Sequence, residues 1–243
     1  QDVEGEAYDF PEYFFRKRVH RITRPAAVQE ELEDVASVIR GAEKPLLIVG
    51  GGVRFSEAGE VVEKFCEEFG IPFGETQGGK SACRSSHPYC LGGIGVTGTL
   101  ASNIIAKDAD MVISVGSRMS DFTTSSKHLF RNEKVKFVSV NYSRYHAYKM
   151  DAVKAVGDAR ATMEALTEIL RSTGYHSAYT DEVVKAKEMW DKELERLGGI
   201  AYTGETFEPL IQARDPRTIP EFVKLTEGRI TQTAALAVIK QNN

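Results

Sequence analysis

Three glycine-rich stretches contain the residues of this sequence that are best suited to bind an anion. They cover residues 50–52, 91–99 and 115–118. Glycine has no side chain to keep a phosphate away from its backbone amide, and such loops often lead into helix N-termini that favour negative charge. Arg118, in the third stretch, can contact a phosphate or a carboxylate through two nitrogens. The stretches therefore predict a phosphate- or nucleotide-binding pocket.

Polar side chains beside the glycines complete this predicted pocket. The second stretch offers the hydroxyl of Thr97, and the amide of Asn103 follows it. The alternatives are a tight turn without a ligand for residues 50–52 and, for Arg118, an internal ion pair with Asp121 or another acidic residue. The candidate cofactor-binding residues are Gly50, Gly51, Gly52, Gly93, Gly95, Thr97, Gly98, Asn103, Gly116 and Arg118.

The sequence shows no pattern that would support catalysis by this chain alone. The five histidines lack HExxH spacing, and neither a GxSxG nucleophile elbow nor a GxxxxGK[ST] phosphate loop is present. Cys83 and His87 lie close in sequence, and a stand-alone enzyme that uses this pair is one hypothesis. Because nothing beside them would orient the pair, we expect no catalytic residue, and we expect no metal ligand.

Composition limits the partners of the chain. Its 243 residues have a net charge of −4, whereas nucleic acids and anionic membranes require a basic surface. No apolar run approaches the roughly 20 residues that cross a bilayer. The three cysteines lack CxxC spacing and follow no signal segment, which favours free thiols in a reducing compartment. We expect a cytoplasmic protein that binds neither nucleic acid nor membranes.

Alternating strand and helix signals predict the elements that position the glycine stretches. Short continuous apolar runs are typical of strands that are buried on both faces. Such strands are predicted at residues 45–49, 71–73, 111–115, 135–140 and 152–156. Helices are predicted between them, with N-caps at Ser56, Thr99 and Asp158. The pattern predicts a Rossmann-like, three-layer α/β domain with a mostly parallel sheet and flanking terminal segments.

The two ends of the chain predict a piece of a longer protein. The chain begins at Gln1 rather than at methionine, and residues 231–240 have a helical pattern without a stop signal. We expect four regions. They are a linker from a missing domain at 1–26, the central α/β domain at 27–174, a helix with a connecting segment at 175–228, and the truncated start of a further domain at 229–243.

Several segments show a family resemblance when they are taken together. Residues 44–52, 93–99 with Asn103, 109–110 with 115–118, and 157–160 resemble the middle domain of thiamine diphosphate-dependent enzymes, the superfamily of acetohydroxyacid synthase and pyruvate decarboxylase. Four more segments narrow the resemblance. They are residues 5–11, 17–20, 74–77 and 121–124, and they are similar to the trihydroxycyclohexanedione hydrolases of myo-inositol catabolism.

The resemblance implies how the chain fits into a larger enzyme. Members of this superfamily have an N-terminal pyrimidine-binding domain, a middle domain and a C-terminal pyrophosphate-binding domain. Residues 1–26 then match the linker that leaves the first domain, and residues 229–243 match the opening helix of the third. The residues that bind thiamine diphosphate and Mg would lie outside this chain, since Gly157 and Asp158 are followed by Ala159 rather than by the glycine of a GDG motif.

The resemblance also implies an activity for the full-length parent. The thiamine ylid would attack a ring carbonyl and open the cyclic dione to 5-deoxy-glucuronate, in a hydrolase that acts on a carbon–carbon bond. The parent would be a homo-oligomer, a dimer or a tetramer, and its other domains would be the partners of this one. The fragment alone would be inactive.

Some relatives of the resembled superfamily bind FAD with loops that match residues 93–99 and 116–118. They place acidic residues after the strand that matches residues 137–140. Here Asn141 stands at that point, and no carboxylate is available to meet a ribose. This argues against FAD and favours a remnant nucleotide pocket without a physiological ligand. The alternative is a module that binds FAD, NAD or ADP in another thiamine diphosphate-dependent enzyme, such as an acetolactate synthase-like protein.

Overall fold

A computed structural model describes residues 2–199 and 232–241 of the chain. Its six strands are β1 (Pro45–Val49), β2 (Phe73–Glu75), β3 (Cys90–Gly93), β4 (Met111–Val115), β5 (Lys136–Asn141) and β6 (Val153–Val156). They form one sheet in the order β3-β2-β1-β4-β5-β6, and all neighbours are parallel. This is the doubly wound strand order of dinucleotide-binding domains.

Helices cover both faces of the sheet. The α-helices of the described residues are α1 (Gln29–Ile39), α2 (Gly51–Phe55), α3 (Gly59–Phe69), α4 (Leu100–Asp108), α5 (Asp121–Thr124), α6 (Arg144–Ala147), α7 (Ala159–Arg171), α8 (Thr180–Gly198) and α9 (Gln232–Gln241). Short 3₁₀ turns occupy Asp2–Gly5, Glu12–Phe15, Gln77–Gly79 and Lys149–Asp151. The predicted three-layer, Rossmann-like fold is confirmed.

The core is divided between the two faces of the sheet. Leu47 and Val49 of β1 pack into one apolar cluster with residues of α1, α3 and α7, while Leu46 and Ile48 pack into a second cluster with α4 and α8. Every residue of β1 and β4 is therefore buried. Burial on both faces explains why these strands are continuous apolar runs in the sequence.

Two of the predicted N-caps are confirmed. The Thr99 hydroxyl accepts a hydrogen bond from the Ser102 amide at 3.1 Å at the start of α4. The Asp158 carboxylate accepts from the amides of Arg160 and Ala161 at 3.1 and 3.2 Å at the start of α7. Each bond satisfies a backbone donor that the first helical turn leaves without a partner.

The predicted cap at Ser56 is wrong. Ser56 ends helix α2, which the glycine-rich sequence did not predict, and α3 begins only at Gly59. The Ser56 hydroxyl instead donates to the Asp158 carboxylate at 2.7 Å. A serine beside glycines favours a cap locally, but a buried carboxylate from a distant part of the chain provides a stronger acceptor.

Two strands differ from the sequence prediction. The strand expected at 71–73 lies at Phe73–Glu75, because the pairing with β1 begins at Phe73 and a buried glutamate extends it. The sequence does not predict strand β3, since half of its four residues are glycines. It forms because β2 offers it a parallel partner, with Phe73 opposite Cys90. Glycine lowers strand propensity but does not prevent tertiary pairing.

The N-terminal segment is extended and exposed over most of its length. Tyr13, Phe14 and Phe15 do not pack into the domain core, since their side chains remain 57–73% exposed. The rings of Phe14 and Phe15 contact each other, with centroids 5.4 Å apart. Of the region predicted at 175–228, residues 200–228 lie outside the described part of the chain. None of the described helices is long and apolar enough to span a membrane.

Candidate functional site

A crevice of about 330 Å³ lies at the carboxyl edge of the sheet, beside the point where the strand order reverses between β1 and β4. This is where doubly wound domains bind their ligands. The crevice brings together five predicted site residues: Gly51, Gly52, Thr97, Gly116 and Arg118. The other five, Gly50, Gly93, Gly95, Gly98 and Asn103, do not line it.

The glycines that follow β1 and β4 pack against one another. The Gly50 amide donates to the Val115 carbonyl at 2.8 Å, and the Gly52 amide donates to the Gly116 carbonyl at 3.0 Å. A Cβ on Gly116, whose φ is +64°, would lie 2.6 Å from the Cα of Gly52. Two backbones therefore meet where any side chain would separate them. The amides of Gly50 and Gly52 are engaged within the protein and do not form an open phosphate cradle.

The loop at residues 93–99 is also held by internal contacts. The Asn103 side chain accepts from the Gly95 amide at 3.1 Å and donates to the Gly95 carbonyl at 2.9 Å. Gly95 has a φ of +97°, and a Cβ there would overlap the carbonyl of Phe122. The amide of Val96 donates to that same carbonyl at 2.9 Å. Asn103 thus fixes the loop, and Gly95 lets it pack on helix α5.

Backbone also fills the space above the end of β1. The 3₁₀ turn Gln77–Gly79 lies over it, and a Cβ on Gly79 would overlap the Val49 carbonyl. The Thr76 hydroxyl accepts from the Gly79 amide at 3.1 Å and holds the turn in place. In a dinucleotide-binding domain, the pyrophosphate occupies the turn after the first strand. Here the chain itself covers part of that turn, and Gly51 and Gly52 stay half-buried at the crevice.

Arg118 is the cation of the crevice. Its side chain is exposed, and it forms no ion pair with any residue in the described part of the chain. The alternative of an internal pair with Asp121 is therefore wrong, and no other acidic residue in the described part of the chain pairs with Arg118. Burial, Lys149 and Arg118 together lower the pKa of His146. This part of the crevice edge is electropositive.

Asn141, at the end of β5, serves a structural role. Its side-chain amide donates to the Ser117 carbonyl at 2.8 Å, and its oxygen accepts from the Ser143 amide at 2.9 Å. Asn141 is 8% exposed. The side chain ties the loop after β5 to the loop after β4, and both of its polar atoms are engaged. It is not available to a ribose.

Several crevice residues were not among the sequence candidates. They are Phe55, Thr76, Gln77, Gly78, Ile94, Ser117, Ser120, Phe122 and Thr123. The side-chain amide of Gln77 donates to the Thr97 hydroxyl at 3.3 Å and bridges two walls. The sequence contains a signal for four of them, Thr76, Gln77, Phe122 and Thr123. They lie in residues 74–77 and 121–124, two of the segments that resemble the trihydroxycyclohexanedione hydrolases. The two aromatic side chains, Phe55 and Phe122, are 83% and 68% exposed.

Cys83 and His87 do not form a catalytic pair. The ring of His87 accepts from the Tyr89 amide at 3.2 Å through Nδ1, and its Nε2 lies 2.9 Å from a Glu67 carboxylate oxygen. The Cys83 thiol donates to the Gly59 carbonyl. Burial, with nearby carboxylates, raises the pKa of Cys83 to about 12. Such a thiol is not a nucleophile at neutral pH, so the hypothesis of a stand-alone Cys-His enzyme is wrong.

The described residues do not fit thiamine diphosphate or its metal ion. Asp158 would be the first candidate for a metal–diphosphate motif, but its carboxylate caps α7, accepts from Ser56 and pairs with Arg24 at 3.4 Å. Burial alone would raise the pKa of Asp158, yet these hydrogen bonds and Arg24 lower it. No group of three or more potential metal ligands occurs among the described residues. Asp158 instead joins the N-terminal segment, α2 and α7.

Comparison with known proteins places this geometry in a family. Residues 32–166 match the family described as "Thiamine pyrophosphate enzyme, central domain". A solved structure from Mycobacterium smegmatis, described as a candidate thiamin diphosphate-dependent enzyme, has a TM-score of 0.50 and 22% identity over 63% of this chain and 30% of its own. At that identity, the likeness concerns the fold alone.

Curated relatives match the chain along nearly its whole length. Each is named 3D-(3,5/4)-trihydroxycyclohexane-1,2-dione hydrolase. A protein of Clostridium perfringens is 60% identical over 99% of this chain and 38% of its own length. One of Clostridium botulinum is 55% identical over 99% and 37%. The chain thus spans less than two-fifths of these relatives. It belongs to the family of central domains of thiamine pyrophosphate enzymes.

Proposed function

We propose that this chain is the middle, supporting domain of a thiamine diphosphate-dependent hydrolase that opens the ring of trihydroxycyclohexanedione to 5-deoxy-glucuronate in myo-inositol degradation. One observation supports this above the others. Relatives with this hydrolase name are 60% identical over 241 residues of this chain. Acetolactate synthase-like proteins remain the alternative, and that degree of identity favours the hydrolase.

The proposal gives each region of the chain a role. Residues 1–26 would link to a pyrimidine-binding domain, 27–174 would be the middle domain, 175–228 would connect onward, and 229–243 would open a pyrophosphate-binding domain. Thiamine diphosphate and Mg²⁺ would be held by those other domains, in a cytoplasmic homo-oligomer that is a dimer or a tetramer. The engagement of Asp158 supports this division, since its carboxylate already has four partners among the described residues.

Within this domain, the crevice is proposed to be a remnant nucleotide pocket without a physiological ligand. The engaged amides of Gly50 and Gly52, the partly covered turn after β1, and the internal bonds of Asn141 all support this reading. Arg118, which has no ion-pair partner within the described ranges, is the one observation that favours the nucleotide-binding alternative, because its guanidinium can still contact an anion. A single exposed cation provides little affinity in water.

The function is tested by assaying dione ring opening with the full-length parent and with this 243-residue chain in parallel. We expect turnover by the parent only when thiamine diphosphate is present, and none by the chain alone. Pyruvate serves as the control substrate, because an acetolactate synthase would consume it. Turnover of pyruvate instead of the dione, or turnover of the dione without thiamine diphosphate, would refute the proposal.

A further inference from the structure

A second cavity, of about 430 Å³, lies between helix α4 and the segment that follows helix α5. We refer to it as the basic cavity. Its lining residues are Asn103, Lys107, Ser125, His128, Leu129 and Arg131. They include two permanent cations and a histidine but no carboxylate, in a chain where acidic residues outnumber basic ones by 35 to 31. A concave surface of one charge concentrates ligands of the opposite charge.

The three basic residues are fixed relative to one another by the backbone. The amide of Arg131 donates to the Lys107 carbonyl at 3.1 Å. The Arg131 Nε donates to the His128 carbonyl at 3.4 Å. Arg131 is therefore joined to both other members of the group, which come from α4 and from the loop. The three exposed side chains therefore start from backbone positions that are close together, and all three line one cavity.

The basic side chains of the cavity have no anionic partner among the described residues. Lys107, His128 and Arg131 form no ion pair there. Other surface arginines do, since Arg160 and Arg196 each contact a glutamate on their own helix at 3.1 and 2.7 Å. Two guanidinium nitrogens of Arg131 remain available for a forked contact with two oxygens of one anion, and Lys107 adds a compact charge.

The wall of the cavity is also connected to the glycine loop. Asn103 lines the cavity and holds Gly95 through two hydrogen bonds. Ser125, on the opposite wall, directly follows helix α5, on which that loop packs. Leu129 is buried and anchors the segment in the core. The cavity is thus built on anchored elements.

We propose that the basic cavity binds a phosphate dianion, either as free phosphate or as the phosphate of a small phosphomonoester. Its volume lies within the range of small-molecule sites, roughly 300–1,000 Å³. The Arg131 fork would contact two phosphate oxygens, Lys107 would add a second positive charge, and the His128 ring would offer a hydrogen bond. Because Lys107 and Arg131 are exposed, salt screens their charges, and the affinity falls as ionic strength rises. The proposal is independent of the crevice and of the parent's activity.

Titration of the ¹⁵N-labelled 243-residue chain with inorganic phosphate and, separately, glycerol 3-phosphate tests this at constant ionic strength. We expect saturable amide shifts at residues 103–107 and 125–131, with sodium chloride giving none. Tighter binding of glycerol 3-phosphate would identify a phosphomonoester as the ligand, and tighter binding of phosphate would identify the free ion. Shifts that do not saturate, or that centre on Arg118 instead, would overturn the proposal.

A pair of variants with equal charge change separates the cavity from general electrostatics. In the K107A/R131A variant two cavity cations are removed, and we expect binding to weaken by roughly tenfold or more. In the K134A/K136A control two exposed cations outside the cavity are removed, and we expect a change of less than about twofold. Equal weakening in both variants would overturn the proposal. Mapping on the unaltered chain remains decisive if a variant does not fold.

Discussion

Replacement of Gly116 by alanine is predicted to destabilise the domain far more than the same replacement at Gly174. Both glycines have a left-handed backbone, with φ of 64° and 66°, so alanine at either position costs about 1–2 kcal/mol for that conformation. A Cβ on Gly174 would meet nothing within 4 Å. On Gly116 it would lie 2.6 Å from the Gly52 Cα and 2.8 Å from the Val53 nitrogen.

The backbone around Gly116 cannot easily move to relieve this overlap. The hydrogen bonds from Gly52 to Gly116 and from Gly50 to Val115 fix the two loops at 3.0 and 2.8 Å. Overpacking of a fixed site adds about 1–3 kcal/mol. We therefore expect losses in the free energy of unfolding of about 2–5 kcal/mol for Gly116→Ala and about 1–2 kcal/mol for Gly174→Ala.

Urea unfolding followed by far-UV circular dichroism measures both variants on the same scale. The m-value should stay unchanged if only the native state is affected. Equal losses in the two variants would mean that Gly116 is required for its φ alone. That outcome would refute the reasoning that these glycines exist to let two backbones pack together.

Further predictions concern Asp158 and Cys83. Asp158→Ala should lower the free energy of unfolding by about 2–4 kcal/mol at pH 7, since it removes a helix cap and charge-assisted bonds to Ser56 and Arg24. The control Glu164→Ala removes an exposed ion pair and should lower it by less than about 1 kcal/mol. Equal losses for the two variants in urea unfolding would contradict this prediction. Because the pKa of Asp158 is lowered in the folded state, its contribution to the free energy of unfolding should be complete above about pH 4 and should disappear as the pH falls through the folded pKa. A loss of stability in Asp158→Asn that does not change with pH would refute this pH dependence. Cys83 should resist a thiol reagent at pH 8 in the folded protein and react once the protein is unfolded; rapid labelling of the native chain would refute its burial.

Much of the sheet follows from the sequence for a simple physical reason. Strands β1 and β4 are buried on both faces, so their apolar runs have no polar interruption and no helical period. Their bounds were predicted to the residue, at 45–49 and 111–115. Helix caps with a local side-chain bond, such as Thr99, are equally visible because acceptor and donor lie within three residues.

Features that depend on distant contacts could not be read from the sequence in the same way. Strand β3 exists because β2 pairs with it, and Ser56 is engaged by a carboxylate 102 residues away. The glycine stretches predict a ligand-binding site, because the sequence is the same whether a glycine makes room for a phosphate or for another part of the backbone. Only the contact between Gly52 and Gly116 distinguishes the two.

We infer that the glycine loops pack backbone against backbone and do not bind a nucleotide. Thermal unfolding of the chain with FAD, NAD or ADP is the most direct test of this inference. A ligand at about 100 times its Kd adds about 2.7 kcal/mol to the free energy of unfolding, which would raise the Tm of a domain of this size by roughly 5–10 °C. We predict a change of less than about 1 °C with each nucleotide at millimolar concentration. A saturable rise with any of them, abolished by Arg118→Ala, would contradict the assignment of the crevice as a remnant.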